Sequence, residues 1–238
     1  LYEHGQLIRN ALLAAEESVA SLGRDLQGRV RLSVPTGYGQ FVMADWLVEF
    51  KRLYPGIVLD VVFENRVADL LQGEVDIAVR VMSEPPQNLV ARDMGQVRYV
   101  ACASSAYARE HGLPRQLDDL RRVPVITSEV IGRQLRVAAY RDGERHEVLL
   151  EPTVASENFI FLRLSILAGL GVGIVPAYVT QDDVTRGEVR TALDDYRLSI
   201  FGTRMYMLYM PNQHHTKAAA TLIDFVLDKV RASARAEQ

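Results

Sequence analysis

One stretch of the sequence, residues 28–63, constrains the fold most because it reads as strand, loop, helix and strand. Apolar and polar residues alternate over 30–34, as in a half-buried strand. Pro35 ends that strand, and Pro55-Gly56 stops the following helix before a second apolar strand. Two strands joined through a helix are parallel neighbours. The stretch therefore predicts an α/β fold whose strand ends carry open, ligand-accepting loops.

The pattern of that stretch recurs along the chain in two units of similar style. Further apolar strands are indicated at 75–80, 97–103, 123–126, 174–175 and 205–210. Helices are indicated at 41–54, 104–109, 156–168 and 216–231, and a hairpin at 135–150 around Asp142-Gly143. We expect two α/β lobes joined by two crossover strands and preceded by a long linker helix. The predicted domains are a linker helix at 1–27, a first lobe at 28–95 plus 194–238, and a second lobe at 96–193.

Residues 1–26 form the clearest helical pattern of the chain. Their apolar members follow alternating steps of four and three, which is an a/d seam held over nearly four heptads. A narrow seam of this kind is typical of a helix that pairs two copies of a chain. The alternative, which the pattern leaves open, is a helix packed on its own domain.

Charge and cysteine content narrow the class of protein. The formal net charge of −3 lacks the basic excess of a nucleic-acid-binding domain. The single cysteine, Cys102, excludes an internal disulfide, and its apolar neighbours predict a buried, inert thiol. No apolar run approaches the roughly 20 residues that span a bilayer, so we expect no membrane partner. Because the chain begins at Leu1 rather than Met, we expect a fragment.

The segments that could suggest catalysis, a cofactor or a metal do not meet the requirements of such sites. The glycines at 169, 171 and 173 mimic a dinucleotide loop, but they follow a helix and enter a strand, which is the reverse of the required order. His214-His215 has no further ligand candidates nearby. No nucleophile, base and orienting group can be assembled from the motifs present. We therefore predict a protein that is not an enzyme and has no cofactor or metal.

The carboxyl ends of three predicted strands supply candidate ligand-binding residues in the first lobe. These candidates are Thr36, Gly37, Tyr38, Asn65 and Arg80. Thr36 offers a hydroxyl beside a helix start, and Arg80 could hold a carboxylate in a bidentate pair. Two alternatives stay open: Thr36 as a helix cap, and Arg80 paired with a structural acid such as Glu84 or Asp76.

The second lobe should supply the opposing wall of a ligand site. Its strand ends carry the candidates Thr127, Ser128, Ser156, Asn158 and Phe159. The alternative for Ser156 or Asn158 is that of an N-cap for the following helix. Phe159 is expected to pack in the core or to line the cleft.

Several ordered motifs resemble one known family. They are Tyr54-Pro55-Gly56, the segments 73–80, 89–92 and 111–114, and the glycine-rich segment 168–176. With them, nearly the whole chain resembles the effector-binding part of a LysR-type transcriptional regulator. One departure is Met82, because many relatives have Gly soon after the arginine. We expect its side chain to narrow that side of the cleft.

The resemblance implies a fold and a function. The fold would be two Rossmann-like lobes of periplasmic-binding-protein type, with effector positions at Thr36, Gly37, Asn65, Arg80 and 156–159. The protein would bind a small acidic or aromatic metabolite between the lobes and form a cytoplasmic homodimer or homotetramer. Promoter DNA would be bound through an N-terminal winged helix-turn-helix that these residues lack, and RNA polymerase is a candidate partner. The alternative is a periplasmic-type solute-binding protein, which would be monomeric.

Overall fold

The computed structural model describes residues 26–65, 75–128, 133–200, 202, 204–211 and 216–236. Nearly all of the predicted linker helix and the His214-His215 pair lie outside the described residues. No helix within the described ranges is long and apolar enough to cross a membrane.

Five strands form the sheet of the first lobe, in the order β2-β1-β3-β13-β4. They are β1 (Gly28–Val34), β2 (Ile57–Phe63), β3 (Ile77–Met82), β4 (Val90–Gln96) and β13 (Arg204–Tyr209). Strand β1 pairs in parallel with β2 and β3, as the sequence predicted. Strand β13 is antiparallel to both β3 and β4, so the sheet is mixed. The reversed strand is the one that returns from the second lobe.

The helix after β1 begins earlier than the sequence predicted and is irregular. It starts with Thr36–Tyr38, continues as a π-helical turn at Gly39–Met43, and becomes a regular α-helix at Ala44–Leu53. Its buried side packs with the closing helix, Lys217–Ala236, as the rings of Phe50 and Phe225 lie 5.3 Å apart. Turns of π-helix are rare and frequently lie at functional sites.

The second lobe is built on eight strands. Their order is β8-β7-β12-β5-β10-β6-β9, with β11 paired to β5. The strands are β5 (Tyr99–Ser104), β6 (Val125–Thr127), β7 (Leu135–Arg141), β8 (Glu144–Leu150), β9 (Val154–Ala155), β10 (Val172–Pro176), β11 (Val189–Ala192) and β12 (Arg197–Ser199). The helical segments are Ser105–His111, Leu117–Arg122, Phe159–Leu167, Ala177–Val179 and Gln181–Thr185. The predicted hairpin is present as β7 and β8. Its turn is of the expected kind, because Asp142 and Gly143 both have positive φ.

One predicted boundary is corrected by the strand pairing. The sequence assigned everything from residue 194 onward to the first lobe, but β12 pairs with β5 and β7 of the second sheet. The chain therefore passes to the first lobe only between β12 and β13. A strand of three residues has too short a pattern to show its sheet.

Cys102 is fully buried in β5, as the sequence predicted. Its sulfur lies 3.8 Å from the hydroxyl of Thr180. Burial raises the pKa of the Cys102 thiol to about 12. The thiol is therefore uncharged at neutral pH and packs as a small apolar group.

Candidate ligand-binding cleft

A cavity of about 210 Å³ lies between the two sheets. At about 30 Å³ for each water, that space corresponds to roughly seven water molecules, which suits a small metabolite. Both lobes contribute to its wall. The lining residues are Pro35, Gly37, Asn65, Arg80 and Val81 from the first lobe, and Tyr99, Ser128, Glu157, Phe159, Pro176 and Tyr178 from the second.

Arg80 belongs to the first-lobe wall of the cavity, and only 3% of its side chain is exposed. Its guanidinium donates to the Ser33 hydroxyl at 2.6 Å and to the carbonyl of Val79 at 2.7 Å. The Glu64 carboxylate lies 3.9 Å away and accepts a hydrogen bond of 2.9 Å from the same Ser33 hydroxyl. Part of the charge of Arg80 is thus already compensated inside the protein.

The acid beside Arg80 differs from those suggested by the sequence. Asp76 instead accepts the backbone N–H of Arg31 at 2.8 Å. Glu64 follows β2, and Arg80 lies in β3. Both strands flank β1, which carries Ser33 between them. The parallel register of three strands therefore selects Glu64, and this pairing was not visible in the chain order.

Asn65 and the helix start form the next part of the wall. The Asn65 side-chain oxygen accepts the backbone N–H of Thr36 at 3.2 Å, which holds the end of β2 against the first helical turn. Pro35, not Thr36, is the N-cap residue, so the capping alternative for Thr36 is wrong. Thr36 is absent from the cavity lining, whereas Pro35 and Gly37 on either side of it are present.

Gly37 touches the second lobe directly. A Cβ atom built on Gly37 would lie 2.8 Å from Cδ2 and 2.9 Å from Cγ of Phe159. Real carbon pairs rest at about 3.5–4.0 Å, so no larger side chain fits without movement. Absence of a side chain at this position is what allows the Phe159 ring to close over the loop.

Tyr38 forms a second contact across the cleft without lining the cavity. Its ring packs edge-on against Tyr178 of the second lobe, with 5.6 Å between centroids, and against Trp46 at 6.2 Å. Burial raises the pKa of Tyr178, and the neighbouring Tyr99 and Tyr38 add to that shift. Tyr178 therefore presents a neutral hydroxyl and an aromatic face.

Two neighbouring hydroxyls of the second lobe have opposite surroundings. Thr127 is fully buried, and its hydroxyl donates to the carbonyl of Ile174 at 3.2 Å, inside the sheet. Ser128 is also buried, at 2% exposure, yet its Oγ has no hydrogen-bond partner among the described residues. Ser128 lines the cavity and Thr127 does not. The two were predicted as equivalent candidates, but Thr127 is the last residue of β6, whereas Ser128 follows the strand.

Ser156 and Asn158 organise the helix that carries Phe159. The Asn158 side chain accepts the backbone N–H of Phe161 at 3.0 Å and caps the helix. The Ser156 hydroxyl accepts the backbone N–H of Asn158 at 3.0 Å. The capping alternative is confirmed for Asn158, and neither residue lines the cavity. Their side chains set the angle at which Phe159 enters the cleft.

An ion cluster around the buried Asp183 holds the same helix in place. Arg163 donates two hydrogen bonds to Asp183, at 2.7 Å and 2.5 Å, and Arg186 adds a third at 2.5 Å. Asp183 has no exposed surface. Its hydrogen bond raises the pKa of Arg163. A buried carboxylate with two arginine partners is well compensated, so it fixes the helix to Gln181–Thr185.

The comparison with known proteins identifies the family. The LysR substrate binding domain matches residues 23–231 of this chain. The chain belongs to this family. Two curated relatives of this LysR-type domain are transcriptional regulators. The probable HTH-type transcriptional regulator LtrA of Klebsiella pneumoniae is 25% identical over 98% of this chain and 75% of its own length. An HTH-type transcriptional regulator of Xanthomonas campestris is 31% identical over 81% of this chain and 57% of its own length.

Solved LysR-type structures show the same fold. The full-length virulence activator AphB of Vibrio cholerae superposes with a TM-score of 0.75 at 23% identity, covering 96% of this chain and 77% of AphB. CrgA of Neisseria meningitidis gives 0.75 at 20% identity, covering 97% of this chain and 80% of CrgA. The predicted α/β fold of two lobes, of periplasmic-binding-protein type, is confirmed.

The cavity wall of this LysR-type domain also includes Val81, Tyr99, Pro176 and Tyr178, which the sequence reasoning did not single out. Pro176 ends β10 and Tyr178 lies in the helical turn Ala177–Val179 that follows it, so the strand-end rule used elsewhere could have found them. Tyr99 begins β5 and reaches the cleft only because β5 runs antiparallel to β10, opposite Pro176.

Met82 was expected to narrow the cleft, but its side chain lies elsewhere. Met82 packs with Ala78 and Leu208 in a small apolar cluster. The cavity wall is formed by Val81 instead. Met82 is absent from the cavity lining, so its side chain does not narrow the cavity.

Proposed function

We propose that this chain is the effector-sensing regulatory domain of a bacterial LysR-type transcriptional regulator, and that the interlobe cavity binds a small acidic or aromatic metabolite. One observation carries the proposal. The two lobes enclose a small cavity that combines a buried arginine, a serine hydroxyl without a hydrogen-bond partner among the described residues, and three aromatic side chains: Tyr99, Phe159 and Tyr178. Small-molecule sites are concave, largely apolar and carry a few oriented polar groups.

Ligand binding at this position would couple the two lobes. The first lobe contributes Gly37 and Arg80, and the second contributes Ser128 and Phe159. A ligand that touches both walls favours the lobe arrangement in which both sets of contacts are made. We propose that this change reaches promoter DNA, through a DNA-binding domain, as a rearrangement of subunits in a cytoplasmic oligomer. RNA polymerase is a candidate partner of that assembly.

Exposed apolar side chains support self-association as a homodimer or homotetramer. One set lies along an edge of the first lobe, where edge strand β2 and the adjoining helix expose Val48, Leu53, Val58, Val62 and Phe63. A second set lies on the second lobe, where Ile160, Phe161, Leu164 and Leu170 are exposed. A two-fold axis lets such sets cover one another in pairs. Sedimentation velocity should show a dimer or larger species at micromolar concentration, and a monomer at every concentration would contradict this part of the proposal.

Thermal-shift screening against a metabolite library tests the ligand site. We expect at least one small acidic or aromatic metabolite to raise the melting temperature, and Arg80→Met to reduce its affinity by about tenfold or more, as for a lost hydrogen bond to a charged group. Glu64→Gln is the matched variant, because it removes the competing charge beside Arg80 while keeping an acceptor for Ser33.

Opposite responses of these two variants separate a ligand contact from a structural role. Both changes disturb the Arg80–Glu64 pair, so both should alter the stability of the unliganded protein. An acidic metabolite should bind more weakly to Arg80→Met and at least as tightly to Glu64→Gln, because only the first removes its partner. Equal affinity for wild type and Arg80→Met would contradict a role for this arginine in binding.

A further inference from the structure

The charges around the cavity are unsuited to a ligand with several carboxylates. Arg80 is the cation of the lining, and it is already compensated by Glu64. Glu157, a second carboxylate, also lines the cavity and is exposed. A ligand with one carboxylate can approach Arg80, but a second carboxylate would face Glu64 or Glu157 in a partly dehydrated site. Like charges repel more strongly in a partly dehydrated site than in bulk water.

A buried hydroxyl without a hydrogen-bond partner among the described residues suggests that the ligand carries a neutral polar group besides its carboxylate. In the part of the chain that the structure describes, buried side-chain atoms without a hydrogen bond are limited to Ser128 Oγ and Gln40 Oε1. Ser128 lies in the second-lobe wall. Gln40 lies in the π-helical turn one helical turn beyond Gly37, in the first lobe. Buried polar atoms are normally paired, and of these two residues Ser128 is the one that lines the cavity.

Ser128 can reach a ligand without backbone movement. The residue lines the cavity although its Oγ is shielded. Rotation of χ1 between staggered positions swings the oxygen while leaving the strand in place. The hydroxyl can donate and accept, so it suits a neutral hydroxyl or amide on the ligand.

We infer that the ligand is an aromatic monocarboxylate carrying a hydroxyl or amide group, and that Ser128 is the residue that selects it. This inference rests on the proposed function, because it assumes that the interlobe cavity is the ligand site. Tyr99, Phe159 and Tyr178 supply apolar faces for the ring, Arg80 meets the single carboxylate, and Ser128 meets the neutral group. A site built around a hydrogen bond rejects analogues that lack the matching group.

Calorimetry with matched probes tests the inference. The probes are benzoate, the three monohydroxybenzoates, the dicarboxylate phthalate, and phthalamate, the monoamide of phthalate. We expect one hydroxylated or amide-bearing probe to bind wild type about tenfold more tightly than benzoate, as for one good hydrogen bond. Phthalate should bind more weakly than that probe. In Ser128→Ala the preference should fall to about twofold or less, because the partner atom is gone.

Thr127→Val is the matched control for this experiment. It removes the adjacent hydroxyl, which is bonded within the sheet and does not line the cavity, so the preference should survive. Equal binding of benzoate and all substituted probes, tight binding of phthalate, or a preference that persists in Ser128→Ala would overturn the inference and leave the proposed function standing. If only metabolites of another class bind in the cleft, the inference is also overturned and the proposed function still stands. Failure of every probe and every library metabolite to bind would overturn the proposed function itself.

Discussion

Substitution of Gly37 by alanine tests whether the lobes approach in solution as closely as the structure shows. The new Cβ would lie 2.8 Å from Cδ2, 2.9 Å from Cγ and 3.0 Å from Cε2 of Phe159. Carbon atoms prefer about 3.5–4.0 Å, so the ring or the lobe must retreat by about 0.5–1 Å. Overpacking of this kind costs about 1–3 kcal/mol. Gly37 lies in the helical turn Thr36–Tyr38, where alanine recovers up to about 1 kcal/mol of helix propensity.

The sign of the effect should reverse when Phe159 is shortened. In wild type, Gly37→Ala should lower the free energy of unfolding by about 0 to 3 kcal/mol, the difference between the two terms. In a Phe159→Ala background the clash is gone, so the same change should raise that free energy by up to about 1 kcal/mol. The coupling between the two positions is then about 1–3 kcal/mol.

Urea denaturation followed by fluorescence measures all four members of this cycle. Trp46 is the single tryptophan and contacts Tyr38, so its emission reports on the first lobe beside the cleft. Phe159→Ala alone should cost about 3–5 kcal/mol. That loss leaves a folded baseline in a domain of ordinary stability, about 5–15 kcal/mol. A coupling below about 0.5 kcal/mol would refute the reasoning, because it would mean that Gly37 and Phe159 do not touch in solution.

Three further predictions follow from local contacts. Thr127→Val should lower the free energy of unfolding by about 1 kcal/mol in urea denaturation, because the carbonyl of Ile174 loses its donor; an unchanged midpoint would contradict this. Cys102 should react with a thiol reagent at neutral pH only as fast as the protein unfolds, because burial raises the pKa of its thiol to about 12. Rapid labelling of the folded protein would contradict this prediction. Gln116 and Asp119 form a capping box at the start of the helical segment Leu117–Arg122. Backbone N–H groups, of Gln116 first, hold the pKa of the Asp119 carboxyl below 3.8. The stability that this capping box contributes is therefore complete above pH 3.8 and lost as pH falls through the lower folded-state pKa, so Asp119→Asn should flatten the loss of stability between about pH 5 and 2.

Much of the local structure was predictable because its causes are local. Alternation over β1, the apolar run of β2 and the turn at Asp142-Gly143 each depend on neighbouring residues. The N-cap at Asn158 was likewise visible as a polar residue before an apolar helix. The π-helical turn at Gly39–Met43 was not predicted, because no local residue pattern distinguishes it from a regular α-helical turn.

The sequence likewise predicted the candidate site only in part. Gly37, Asn65, Arg80, Ser128 and Phe159 were predicted and do line the cavity. Thr36, Tyr38, Thr127, Ser156 and Asn158 were predicted beside them and support the wall from behind. Strand ends identify the right loops, but a one-residue step along a strand or turn decides whether a side chain faces the cavity or the sheet.

The sequence by itself determined the α/β class, the order of the main elements and the loops that form the cleft, because periodicity and turn residues act over short distances. The tertiary structure decided which groups meet there. It placed Glu64 beside Arg80 through the parallel register of three strands, and it brought Tyr99 to the cleft through an antiparallel one. It also left the Ser128 hydroxyl without a partner among the described residues while satisfying that of Thr127. These outcomes depend on residues far apart in the chain, whose proximity only the packing of the two lobes creates.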